Sequence, residues 1–506
     1  MRTKVLLHLF VLLSVTAVAQ VQQVRFELPL RPTQNEAYKT INLAAEGLLL
    51  YSMFYGPEEN AIEVIKLDTA FSSHWRGFIS IKKNLFLLSA RRFEDQVYML
   101  LKDRFNPLAE FTVLSVNLSN GNYGTRLVKT LIAMQPSQFL VTKDAILVGG
   151  YFNYRPIVLY YSIASGQSKI LPGFYNDVGD LDQMRADADG NIDIIVSGKS
   201  VTRRRSLWIR NYDKFGDLSK TILLKADEDK HLIYGRSVGQ PGGNQIVCGV
   251  YGRYTEFSRG VFIANIDPYG EYAIKYYNYA DLDKFFHYMK ASREKRVKER
   301  IQRRRIKGKK SKFNYRLMMD EFLQLGDNEF LMLGEAFYPH YAYASTRVYG
   351  PGAGTYSRGV NPYSRSGDLV FDGYQYTHAV VIGFDKDGNL KWDNSFEIND
   401  IRSMTLEQFV KLHPEKDKVS LLYLFDNVVR SKVIQNSEVL EGKSYDQLRT
   451  GSPDDVVRER DTQQTKLDYW YGDVFYASGI QNIRKKDDLN APIHRRVFFI
   501  NKIAYK

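Results

Sequence analysis

Four segments of this chain superimpose as strand, tight turn, strand: LWIRNYDKFGDLSKTILL from Leu207, VFIANIDPYGEYAIKYYNY from Val261, AVVIGFDKDGNLKWDNSFEI from Ala379 and, more loosely, IEVIKLDTAFSSHWRGFI from Ile62. In each, the first run is apolar and β-branched or aromatic, Asp and Gly supply turn geometry at no steric cost, and the second run alternates. Ahead of the turn strands sit further strands ending in small residues: NLFLLSA at Asn84, AILVGGY at Ala145, IDIIVSG at Ile192, QIVCGVYG at Gln245 and EFLMLGEAFY at Glu329. Asp213 and Asp267 lie 54 residues apart, a period of propeller blades and large β-repeats. Asp267 and Asp385 lie 118 apart; setting aside residues 284–312 (29) and 341–374 (34) leaves 55, one further period.

The sequence therefore predicts an all-β fold, a single β-propeller of about seven four-stranded antiparallel blades spanning residues 20–506, with six and eight as the neighbouring counts. Two insertions interrupt it: a basic helix within 281–316 and a long Tyr/Gly/Arg-rich loop within 338–376. Units start near Gly47, Asn84, Gln138, Gly190, Gly243, Asn328 and Lys418, followed by a last strand pair at 469–477 and 496–505. A ring closes its own sheet order, so the strand at 24–30 is placed beside the C-terminal strands. A β-solenoid would need shorter coils, and two sandwiches would need a linker that the chain does not show. A second helix is read at LEQFVKLH, opened by the capping-box string Thr405-Leu406-Glu407-Gln408 and stopped by Pro414.

With 44% apolar and 13% aromatic residues the chain is of the folded class. Residues 1–19 read as a secretory signal: Arg2 and Lys4, an apolar run over 5–15, and Ala17-Val18-Ala19 before cleavage at Gln20. The run is short for a bilayer span, no other stretch approaches that length, and Cys248, the single cysteine, is far from the site of a lipid anchor. An exported location follows: periplasmic, outer-membrane-associated or extracellular.

Of the net charge of +13, residues 284–312 supply +12 and Arg2 and Lys4 another +2, leaving −1 for everything else. One concentrated cationic element sits on a nearly neutral body. Glu294 with Lys298, and Glu299 with Arg303, have the i,i+4 order that supports a solvated helix, and Gly308 ends the pattern. On a helical wheel Phe285, Phe286, Met289, Val297 and Ile301 share an arc of roughly 160°, but Arg293, Arg296 and Arg300 fall inside it. Headgroup contact fits such a surface and membrane burial does not. The segment suits an acidic protein or an anionic envelope component, and no nucleic-acid recognition motif accompanies it.

At FDKDGNLKW, preceded by FLMLGEAFY and the long Tyr-rich hairpin, the chain resembles the secreted repeat proteins of Bacteroidota that carry "hydrophobic run, Asp-x-x-Gly, then Trp" units in propeller-like arrays. The resemblance covers most of the chain in rhythm and is specific around 385–392. Asp68 lacks the following Gly, and the unit at Ile157 has Ser162 where Asp would stand. The resemblance implies a fold and an exported location, and it carries no activity.

The anion- or partner-binding candidates are Arg293, Arg296, Arg300, Arg303, Arg304, Arg305, Lys307, Lys309 and Lys310. Tyr349, Tyr356 and Tyr363 are loop contacts, since rigid phenols supply contact area at low entropic cost. The resulting reading is a binding or scaffolding propeller at the cell envelope, without cofactor, metal or catalytic residue. The alternative is a glycan-acting propeller enzyme with carboxylates in the central channel, Glu335 being one candidate that reads equally well as channel lining. Two converging channel carboxylates would mark the enzyme, and an exposed cationic face the docking module. Asp187-x-Asp189-Gly190-Asn191-x-Asp193 and Asp385-x-Asp387-Gly388-Asn389 place oxygens as calcium sites do, but also as hairpin turns do. Gly235-Arg236-Ser237-Val238-Gly239 matches a nucleophile elbow in letters only, for a loop and not a helix follows. Excision of 284–312 is expected to leave the melting of the fold almost unchanged.

Overall fold

The central strands are apolar at nearly every position because both their faces are covered. In 145–148 neighbouring side chains alternate between two cores: Ile146 and Val148 enter one, Ala145 and Leu147 the next. The same split places Ile195 in one core and Ile194 and Val196 in another. A strand buried on two sides reads as a continuous hydrophobic run rather than an alternation.

The computed structural model describes residues 20–505 apart from 32–35, 107, 109, 175–177, 201–202, 327, 344–368, 416–417, 459–461 and 487–494. These form eight antiparallel sheets of four principal strands, at 39–82, 85–128, 135–170, 179–224, 231–278, 316–397, 411–447, and 462–505 with Gln20–Pro29. The short strands Arg402–Ser403 and Asp455–Val456 add to the sixth and eighth. From sheet to sheet the first strands lie side by side, as do Gly179–Ala186, His231–Gly239 and Arg316–Leu325, so the sheets are blades around an axis. Eight buried hydrophobic clusters sit one between each pair of neighbouring blades.

The fold is a single β-propeller of eight blades, not about seven. The missing unit is the closing blade, which the sequence shows only as a strand pair. It is assembled from both ends of the described chain: Gln20–Pro29 pairs with Arg495–Tyr505 as the outer strand. Trp470 seals the joint to the first blade, its indole N–H donating to the carbonyls of Ala44 (3.0 Å) and Gly47 (3.1 Å).

The repeated strand-turn-strand unit is the third and fourth strand of a blade. At each turn one Asp carboxylate accepts the N–H groups two and four residues on. Asp213 takes those of Phe215 and Asp217, and Asp385 those of Asp387 and Asn389. Asp68 does the same for Ala70 and Ser72, with Phe71 at φ 66° where other turns have Gly. The turn then docks on the preceding blade. Tyr160 donates to the carbonyl of Lys214 (2.8 Å), and Tyr277 to that of Gly388 (2.8 Å). Gly216 has φ 76°, and a Cβ there would lie 2.8 Å from Leu171 and 2.9 Å from Tyr160.

Residues 405–410 form no helix. The N–H groups of Phe409 and Val410 are taken by the buried carboxylate of Glu335, and Val410 enters the core between blades six and seven. That tertiary demand outweighs the capping-box string, and Pro414 closes the strand Lys411–Pro414.

Candidate functional site

Both insertions leave from one end of the ring. In blade six Arg316 pairs with Phe337 and Ala336 with His378. The start of its first strand, the end of its second and the start of its third therefore share an edge. The basic segment enters that edge from blade five. The Tyr-rich hairpin leaves it as a two-stranded stalk, in which Tyr341 pairs with Phe371 and Arg402 pairs with Asp372. Tyr349, Tyr356 and Tyr363 lie outside the described residues, as do residues 1–19.

The basic segment is anchored at both feet. Asn278 and Asp281 form a capping box at its start. Asp393 accepts the N–H groups of Asp283 and Lys284 (both 2.8 Å), and Ser395 donates to the carbonyl of Lys284 (2.8 Å). Phe285 and Phe286 are not on the helix. They precede it and are fully buried in the core between blades five and six. Tyr288 lies flat on His378, ring centres 3.7 Å apart and planes 3° apart, and its hydroxyl meets that of Tyr315 (3.1 Å). Burial pushes His378 down to about 3.

The helix itself, α1, spans Ala291–Ile306. Val297 and Ile301, four residues apart, pack onto that same core, with Glu294 and Arg304 on the half-buried side. The apolar part of the arc thus serves to dock α1 onto its own blade. Glu294 is held by Lys298 (2.7 Å) and His287 (2.9 Å), whereas Arg303 donates to the carbonyl of Glu299 and not to its carboxylate. Arg303, Arg304 and Arg305 occupy the last turn, where the helix dipole favours cations. Gly308, at φ 64°, ends it: Lys309 N–H donates to Arg304 O and Gly308 N–H to Arg305 O, the paired bonds of a Schellman cap.

The structure divides the nine cationic candidates. Arg293, Arg296, Arg300 and Arg303 are exposed and, among the described residues, face no carboxylate within ion-pair distance; Arg296 and Arg303 donate only to helix carbonyls. Arg304 turns inward onto the carbonyl of Lys310 (3.0 Å) and belongs to the cap rather than to the surface. Arg305 faces Asp281 at 3.6 Å. Lys307, Lys309 and Lys310 are exposed.

Glu335 is not in the channel. It is on the second strand of blade six, is fully buried, and accepts from Phe409 (3.0 Å) and Val410 (2.5 Å), while burial pushes its carboxyl up to about 8. Inner-strand carboxylates include Asp180 and Asp182 of the fourth blade, Glu321 of the sixth and Asp468 of the eighth, none of which the sequence reading singled out. Asp182 accepts from Ser197 (2.9 Å) and from the N–H of Gly235 (3.2 Å), and burial pushes it up to about 7. Gln408 bonds Glu321, Lys411 bonds Gln408 (3.5 Å), and Lys411 pairs with Asp468 (3.0 Å). Burial raises Glu321. These partners come from segments 87 and 57 residues apart, so no local motif could reveal them.

Asp187 and Asp385 spend their oxygens on turn N–H groups and on Asn191 and Asn389. Ser237 sits mid-strand in His231–Gly239, held by Gln183 (3.1 Å). Cys248 is buried in the core between blades five and six, where burial pushes its thiol up.

No family model matches the sequence, and no curated protein matches it. Among solved structures, the chain is similar to the polysaccharide lyase Uly1, at 10% identity and a TM-score of 0.41, over 83% of this chain and 90% of that one. It is similar to a PL25 ulvan lyase at 11% and 0.42, over 78% and 88%. It is similar to the Nup133 β-propeller domain of Vanderwaltozyma polyspora at 11% and 0.37, over 84% and 100%. No activity passes from these proteins to this chain.

Proposed function

We propose that the protein is an exported cell-envelope propeller that docks an acidic protein or an anionic envelope component on the outward face of α1. What supports this most is the set Arg293, Arg296, Arg300 and Arg303, held outward on a helix that Val297 and Ile301 fix to the ring, with no carboxylate among the described residues to neutralise them. Fixed cations suffer less loss of side-chain and backbone freedom on binding than cations on a loose tail. Lys307 extends the face, and the loop carrying Tyr349, Tyr356 and Tyr363 leaves the ring from the same end. Export rests on the signal-like residues 1–19 and on the resemblance to secreted Bacteroidota repeat proteins. Among the described residues no helix is long and apolar enough to cross a membrane.

A glycan-acting enzyme is the second reading, and Glu321 beside Asp468 is what favours it. Gln408 and Lys411 already occupy that pair, which is why docking is preferred. The test is retention of the full chain on native envelope material at two salt concentrations. Wild type is retained at low salt and released at high salt, and the R296E/R300E/R303E variant is not retained at either. Equal retention of the two proteins would reject docking, and turnover of an envelope polysaccharide that is lost in Glu321→Gln would establish the second reading.

A further inference from the structure

The turn that ends α1 does more than stop a helix. Lys309, Lys310 and Ser311 run back past the last turn and, with the outer strand of blade five, enclose a cleft of about 510 Å³. Arg305, Lys309, Lys310 and Lys230 line it together with Tyr251, Tyr276 and Ile301. Two of the cations are already engaged. Lys230 lies 4.4 Å over the Tyr276 ring and 3.2 Å from Asp227, and Arg305 reaches Asp281, the one carboxylate lining the cleft. Lys309 and Lys310 have no such partner among the described residues. The Ser311 side chain, 9% exposed and lining the same cleft, has a buried Oγ without a hydrogen-bond partner. A buried hydroxyl left unpaired is rare.

We propose that this cleft binds a small phosphate or sulfate ester, with the oxyanion among Lys309, Lys310 and Arg305 and its sugar-sized carrier against Ile301 and the two tyrosines. Three cationic groups can each engage one of the three free oxygens of a tetrahedral ester, a match that the two oxygens of a carboxylate do not give. The cleft is also larger than a bare anion and within the range of small-molecule sites, so the anion is one part of the ligand. The two apolar-walled tyrosines stay protonated, since burial pushes Tyr251 up to about 12 and Tyr276 higher, and they add no negative charge to the site. This site goes beyond the docking reading, because it uses the inner side of the turn and not the outward face of α1.

The test is titration calorimetry on the full chain at low salt with glucose 6-phosphate, glucose 6-sulfate, inorganic phosphate, inorganic sulfate and glucose. At least one ester binds roughly tenfold tighter than its inorganic anion, and glucose does not bind; which ester does so fixes the anion. K309A/K310A weakens that binding about tenfold or more, while R296E/R300E/R303E, which removes envelope retention, leaves it unchanged. No ester binding, ester binding no tighter than the inorganic anion, or full ester binding in K309A/K310A overturns the proposal. Both lysines are exposed, so the variant folds; an unchanged thermal melt confirms it. Loss of ester binding and loss of envelope retention thus fall on different variants, and either reading can fail alone.

Discussion

Glu335 accepts the backbone N–H groups of both Phe409 and Val410 from a position with no solvent contact. One side chain of blade six thereby fixes the path of the chain into blade seven. Glu335→Ala leaves two buried donors unpaired and is expected to cost about 2 kcal/mol or more, while Glu335→Gln, which keeps an acceptor, costs less. Urea unfolding at pH 6 measures both.

The same residue sets an alkaline limit. Burial holds the Glu335 carboxyl up near 8, against about 4.5 in the unfolded chain, so the folded state binds the extra proton between those values. Its contribution is complete below about pH 4.5 and is lost as pH rises through 8. Unfolding free energies of wild type should decline over that window relative to Glu335→Gln, and parallel curves would refute the assignment.

His378 sets the opposite limit. Its imidazole is covered by Tyr288 and flanked by Phe285 and Tyr315, and its folded value near 3 lies below that of a free histidine. The unfolded chain therefore binds the proton first, and this stability is present above about pH 6.5 and lost as pH falls towards 3. The slope approaches about 1.4 kcal/mol per pH unit. His378→Phe, which keeps a ring in the stack, should flatten the acid limb of the stability profile.

Excision of 284–312 is expected to destabilise the fold, contrary to what charge and composition suggest, because Phe285 and Phe286 are core residues. Phe285→Ala or Phe286→Ala is expected to cost about 3–5 kcal/mol, whereas R296E/R300E stays within about 0.5 kcal/mol of wild type. Thermal melts of the three variants separate anchor from surface.

Gly216→Val tests the turn-to-blade joint. It places a β-branched residue at positive φ and drives its Cβ into Leu171 and Tyr160, so a loss of about 2 kcal/mol or more is expected in denaturant melts.

Much of this architecture could be read from the residues themselves. The Asp-Gly turns mark third-to-fourth strand hairpins, and the doubly apolar runs mark central strands, because both signals are local. Gly308 ends α1 for the same reason. The closure of the ring by the strand at 24–30 beside the C-terminal strands is legible in the sequence, and Gln20–Pro29 does pair with Arg495–Tyr505. The eighth blade goes uncounted because its own segment reads as a strand pair rather than as a full unit. LEQFVKLH failed because a carboxylate 74 residues away, that of Glu335, claims its amides. The cationic candidates were visible as a run of charge. That Arg304 caps while Arg300 faces water was not, since only the docking of Val297 and Ile301 fixes the helix's rotation. The cleft partners Lys230 and Tyr276 leave no trace in the sequence near Lys309.

The clasp between Gln20–Pro29 and Arg495–Tyr505 orders events in the life of the chain. Gln20–Pro29 is made before Arg495–Tyr505 and stays unmated until that strand emerges, so the circle closes only after the other seven blades have been made. A product truncated before Arg495 would keep seven complete blades and two bare strand edges, the condition most prone to pairing with another molecule. Closure of the ring thus hangs on a single late pairing, between two strands that the sequence holds far apart.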